Sequence, residues 1–230
     1  PALASATGAP VLAFGPHGAG MSAQMQALAA GPGAVALAGG EGADAGFAPD
    51  RCLADGDAVS FGERRLIALH TPGHLSNHLS FRLAGTGTVF TGDAVMGWST
   101  TLVSPPEGDM AAQVATLERL RALVAEMAGD GLDACFLPGH GPAVADPAAL
   151  LAQHIAHRQA RRAALVAALA EGPASASSLA ARLYTDTPAA LMPAAARNVL
   201  ATLLQLAAEG AAEPVGPLSA DAAFRLTAAP

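Results

Sequence analysis

The chain has 230 residues, of which 52% are hydrophobic, and a formal net charge of −7. That length suits one large domain, or a medium domain with a small companion. The acidic balance argues against nucleic-acid binding driven by surface charge. The charge is uneven: residues 1–150 carry 14 acids against 6 arginines, net −8, and residues 151–230 carry 5 acids against 6 arginines, net +1. All 12 basic residues are arginine, which reads as coding bias and not as a functional signal. Cys52 and Cys135 are isolated, forming neither a disulfide framework nor a Cys-x-x-Cys metal spacing. No apolar run reads as membrane-spanning, so a cytoplasmic protein with free thiols and no membrane contact is expected.

In chain order, the first residues read as the end of a helix capped at Gly8. A buried strand follows over 9–14, and a helix over 22–30 that stops at Gly31-Pro32-Gly33. The stretch 33–60 reads as loop with short strands. The apolar run 66–69 is a strand leading into His70-Thr71-Pro72-Gly73-His74, and 79–83 and 88–90 are further strands. Residues 109–128 have the three-and-four spacing of an amphipathic helix, with Asp109 as its N-cap. A strand over 134–137 follows. Asp146 and Pro147 then start a long helix ending at Gly172-Pro173. Helices over 175–184 and 189–209 and a strand pair, 212–215 with 223–226, complete the chain. Three helices and a β-ribbon is the order of a winged helix. The expected division is therefore 1–154 and 155–230, with the long helix bridging both parts.

Three of these strands end in motifs that carry chemistry: Thr71-Pro72-Gly73-His74, Thr91-Gly92-Asp93 and Pro138-Gly139-His140-Gly141. A Pro-Gly turn fixes an imidazole at a strand end. Neutral imidazole nitrogen and carboxylate oxygen are natural ligands for Zn²⁺, Mn²⁺ or Fe²⁺. A carboxylate such as Asp93 can bridge two ions about 3.5–4 Å apart. Among the other histidines, His78 could line such a site, support a ligand, or be a hydrogen-bonded structural residue. His70 reads as structural, His17 as an exposed loop residue, and His154 and His157 as packing residues between domains.

Together the motifs resemble those of the metallo-β-lactamase superfamily. His70 to His78, Thr91 to Thr101 and Pro138 to Pro142 look like its third, fourth and fifth signatures. The tail narrows the match: Gln153-His-Ile-Ala-His-Arg158, Leu183-Tyr184 with Pro188, and Ala195-Ala-Arg-Asn-Val-Leu200 resemble the β-lactamase-like protein 2 and glyoxalase II-like group. The resemblance implies an α/β fold, an αββα sandwich followed by a small winged helix. It implies His74 as a ligand of one metal, His140 of the other, and Asp93 as the bridging, catalytic carboxylate. The expected cofactor is two divalent ions, zinc foremost, manganese or iron otherwise. Thr100 and Thr101, with Trp98 beside them, are expected to border the substrate pocket or to support the ligands from behind.

The family's second signature, His-x-His-x-Asp-His, is absent from these residues. In relatives it precedes the helix whose end opens this chain. The chain is therefore expected to be a fragment, with weakened metal binding and no activity of its own, of a hydrolase for acyl or thioester substrates. The alternatives are an endoribonuclease acting on single-stranded RNA and a degenerate, non-catalytic binding protein. DNA recognition is not expected, because the last helix offers only Arg197 toward a groove. A homodimer is compatible with the sequence.

Overall fold

The computed structural model describes residues 2–31, 44–219 and 221–227. Its main sheet has five strands in the order β3-β4-β5-β6-β7: β3 (Ala58–Phe61), β4 (Arg64–His70), β5 (Leu79–Leu83), β6 (Thr88–Gly92) and β7 (Cys135–Pro138). Strands β3 to β6 form an antiparallel meander, whereas β7 joins β6 in parallel. A parallel neighbour needs a crossover, and α3 (Met110–Gly129) supplies it. Asp109 caps α3 by accepting from the N–H groups of Ala111 and Ala112, and Ser22 donates to the same carboxylate at 2.8 Å. Asp146 caps the long helix α4 (Pro147–Leu169), whose first residue is a proline that needs no donor there.

Strand alternation decides which face is covered. Leu69, Val89 and Phe136 point toward the helices and pack with Leu117, Leu120, Val124 and Met127 of α3 and Leu151 and Ile155 of α4. The opposite face carries Phe81 paired with Phe90, and Phe90 is 41% exposed. A second layer is represented among the described residues by two parallel strands, β1 (Leu12–Ala13) and β2 (Arg51–Cys52). Helix α1 (Ala2–Thr7) ends at Gly8 as its sequence predicts. Part of the segment read as loop, 33–43, lies outside the described residues.

A second core is C-terminal. It contains α5 (Ala176–Leu183), α6 (Met192–Ala208) and a three-stranded sheet, β8-β10-β9, of β8 (Ala174–Ser175), β9 (Ala212–Pro214) and β10 (Ala223–Leu226). The sequence shows only two of these strands, because β8 is two residues long and its Ser175 is also the N-cap of α5. The predicted helix over 189–209 begins as a 3-10 turn, Ala189–Leu191, and becomes α-helical next to Pro193, which has no N–H to donate. Leu165, Ala168 and Leu169 of α4 enter this core. So do Met25 and Leu28 of α2 (Ala23–Ala30), a helix far away in sequence.

By length and composition Ala189–Ala208 is apolar enough to cross a membrane, a run the sequence reading did not credit. Its apolar side chains Val199, Leu200, Leu203, Leu204 and Leu206 are buried in the C-terminal core.

His154 of α4 is 5% exposed. Burial first, and then the positive charge of Arg158, hold its pKa below the usual histidine value. The unfolded chain therefore binds a proton that the folded one refuses as pH falls below about 6.5. Stability should decrease on that acid side, and His154→Gln should flatten the slope. Urea denaturation between pH 7 and 5 checks this. An unchanged slope would show that His154 does not drive it.

Candidate functional site

Strands β4, β6 and β7 run in the same direction, so their C-terminal ends meet at one sheet edge and the three motif loops converge there. The N–H of Gly139 donates to the carbonyl of Gly92 at 2.9 Å, tying the second loop to the third.

His74 is largely buried, its side chain 12% exposed. Nδ1 lies 2.8 Å from the carbonyl oxygen of Leu102. A carbonyl only accepts, so Nδ1 carries the proton and Nε2 is the free lone pair. That Nε2 faces Oδ2 of Asp93 at 4.0 Å. On the other side Nε2 of His140 faces Oδ1 of Asp93 at 3.6 Å, with the His140 side chain 64% exposed. Oδ1 is buried and has no hydrogen-bond partner. The three predicted ligands therefore meet as one carboxylate between two imidazoles, each addressing a different oxygen.

His78, left open by the sequence, takes a supporting place. Its Nε2 accepts from the backbone N–H of Asp93 at 3.1 Å, so the ring proton is on Nδ1, 2.8 Å from Oγ1 of Thr71. The Thr71 hydroxyl in turn lies 2.8 Å from Oγ of Ser80, and Ser80 donates to the carbonyl of Thr91 at 3.2 Å. Every member of this chain has a donor or acceptor matched to it. Burial first, and then the nearby His74 imidazole, lower the pKa of His78 to about 4. A neutral imidazole is what the acceptor role requires.

Thr101 is 1% exposed, and its hydroxyl donates to the Asp93 carbonyl at 2.8 Å, so it grips the loop from beneath. Thr100 is partly exposed, and its carbonyl accepts from Ser99 at 3.3 Å. Trp98 is 72% exposed beside Gly141. Gln113, which no sequence signal singled out, donates from Nε2 to the Ala94 carbonyl at 2.9 Å.

His70 stacks on Phe14 with ring centroids 3.8 Å apart, a structural role as expected. His17 departs from its reading as a free loop residue: it lies 3.4 Å from Glu107, both side chains being under a third exposed. The pair opens onto a cavity of about 290 Å³ that His78 also lines.

Two glycines are required by this packing. Gly92 has φ +51°, and a Cβ there would lie 2.6 Å from Nε2 of His78. A Cβ on Gly139 would lie 2.7 Å from Oδ1 of Asp93.

The donor chemistry of His74, Asp93 and His140 suits divalent metal, and the orphaned Oδ1 is an acceptor in want of a cation. The set is nevertheless incomplete. Among the described residues no group of three or more His, Cys, Asp or Glu is placed to hold an ion. Two imidazoles and a shared carboxylate fall short of the four-coordinate closure that zinc takes.

A model of the "Metallo-beta-lactamase superfamily" matches residues 1–140, and one of the "Beta-lactamase associated winged helix domain" matches 175–216. The chain belongs to the metallo-β-lactamase superfamily. It is 28% identical over 160 residues to a Beta-lactamase-like protein 2 homolog of Caenorhabditis elegans, covering 69% of this chain and 50% of that protein. To a Hydroxyacylglutathione hydrolase of Cereibacter sphaeroides it is 38% identical over 84 residues, 36% of this chain and 31% of the relative. The crystal structure of a metallo-beta-lactamase family protein from Thermus thermophilus superposes with a TM-score of 0.63 at 30% identity, covering 76% of this chain and 54% of the other. The chain thus spans half the length or less of these two curated relatives. This superfamily includes hydrolases and typically binds divalent metals.

The packing of Gly92 against His78 can be isolated by comparison with Gly85, which has φ +75° but open space around it. Gly85→Ala should cost about 1–2 kcal/mol for the left-handed backbone alone. Gly92→Ala should cost measurably more in urea denaturation. Equal losses would mean that the His78 ring yields freely.

Proposed function

We propose that this chain is part of a two-metal hydrolase acting on acyl thioesters, and that it contributes His74, Asp93 and His140 to the metal site. The observation that carries the reading is the placement of one carboxylate between two imidazoles, with one of its oxygens buried and unpartnered. A relative named for hydrolysing a hydroxyacylglutathione directs the substrate class toward acyl groups on sulfur. The net charge of −7 favours a small substrate over a polyanion.

Within such a site the chain's own residues position and hold. Leu102 fixes the His74 tautomer so that Nε2 faces the carboxylate. His78 and Thr101 hold the Asp93 backbone from its N–H and its C=O sides. Zinc is the ion we favour, and bound ions would supply Lewis acidity at the scissile carbonyl. They would need further ligands from outside the described residues, and no catalytic step is assigned to them.

The test is hydrolysis of a chromogenic thioester by the full-length protein, followed by thiol release. Thr101→Val should cost about 10–100-fold, the usual loss for a supporting partner. Asp93→Asn should cost clearly more. A full-length protein that cleaves single-stranded RNA and leaves thioesters intact, or an Asp93→Asn variant of undiminished rate, would refute the proposal.

A further inference from the structure

The segment Thr101–Leu102–Val103 is held from two directions. Toward the site, the Thr101 hydroxyl donates to the Asp93 carbonyl at 2.8 Å, and the Leu102 carbonyl accepts from Nδ1 of His74 at 2.8 Å. Toward the C-terminal part, the Thr101 carbonyl accepts from Nη2 of Arg158, and the Val103 N–H donates to Oδ1 of Asn198 at 3.0 Å. The same Oδ1 accepts from Nη1 of Arg158 at 3.4 Å. Val103 is fully buried in a small cluster with Met110 of α3 and Ala201 of α6. Asn198 and Ala201 are three residues apart and so share one face of α6.

None of the residues 101–103 belongs to a strand or helix. Ordering a residue outside such ladders costs backbone entropy, and the contacts just named offset it. Burial lowers the Arg158 pKa to about 10, which leaves the guanidinium charged at neutral pH. The other faces of α6 are also occupied: Val199, Leu203 and Leu206 fill the C-terminal core, and the Leu204 carbonyl accepts from Gln24 of α2 at 3.0 Å.

We infer that the winged helix serves as a buttress for the metal-ligand loop, with Asn198 and Arg158 as positioning residues for His74 and Asp93. The inference rests on the ligand roles proposed above. It assigns the C-terminal domain a task inside the same chain: a small displacement of 101–103 would move both ligands together. A misplacement of about 1 Å at a catalytic group can cost about 100-fold in rate.

The experiment compares Asn198→Leu, Asn198→Asp and Phe224→Leu in the full-length protein. Phe224 is fully buried in the C-terminal core and absent from the contacts to 101–103, so its variant reports plain destabilisation. The primary readout is the imidazole ¹⁵N NMR signature of His74, which does not depend on hydrolysis. Asn198→Leu should lose the hydrogen-bonded Nδ1–H pattern and, where thioester turnover is present, lower kcat at least tenfold with KM little changed. Asn198→Asp, which keeps an acceptor, should preserve the pattern, as should Phe224→Leu despite its lower Tm. A His74 signature unchanged in Asn198→Leu, or lost equally in Phe224→Leu, would overturn the inference. If the protein turns over no thioester, the NMR comparison still decides it.

Discussion

Most of the site depends on a single carboxylate oxygen. Oδ1 of Asp93 is buried without a hydrogen-bond partner, closed in by Gly139 and 3.6 Å from His140. A desolvated acceptor left unpaired costs roughly 1–3 kcal/mol, and more when it is charged. The surroundings offer Oδ1 no hydrogen bond, and do much to hold the carboxylate in place. His78 grips the Asp93 N–H, Thr101 grips its C=O, and Gln113 grips the next carbonyl. An acceptor fixed so firmly and left without a hydrogen-bond donor is the feature on which the proposed metal site rests.

The same loop is where the two parts of the chain meet. The carboxylate loop is anchored to the sheet edge on one side and, through residues 101–103, to α4 and α6 on the other. Helix α4 gives side chains to both cores, and α2 crosses from the N-terminal half to pack Met25 and Leu28 into the C-terminal one. The winged helix is thus packed against the hydrolase part along several elements. The far face of the five-stranded sheet is less complete, with Phe90 41% exposed and only the β1–β2 pair representing a second layer among the described residues. Among the described residues the ligand set is likewise incomplete.

Much of this was legible in the sequence because the decisive signals are local. Pro-Gly-His turns, Thr-Gly-Asp after an apolar run, and the Asp109 and Asp146 caps each report on a few neighbouring residues. They led to the strands, the long helices and the three residues that converge. What the sequence concealed is long-range. Asn198 lies 95 residues from Val103, and Arg158 lies 57 from Thr101. Neither pairing leaves a periodic trace. The partner of Thr101 could not be read from the sequence, because its hydroxyl is spent on a backbone carbonyl eight residues away. Strand β8 was missed because two residues cannot show alternation. His78 could be resolved only from the geometry, which supplies an N–H on one side and a hydroxyl on the other.

The account is tested most directly by metal content. Chain 1–230 and the full-length protein would each be exposed to zinc, manganese and iron, desalted, and analysed for bound metal per chain. The account predicts about two tightly held ions on the full-length protein, as a bridged two-metal site requires, and less than one on the isolated chain. Two tightly held ions on residues 1–230 alone would contradict it, because those residues would then supply a complete ligand set by themselves.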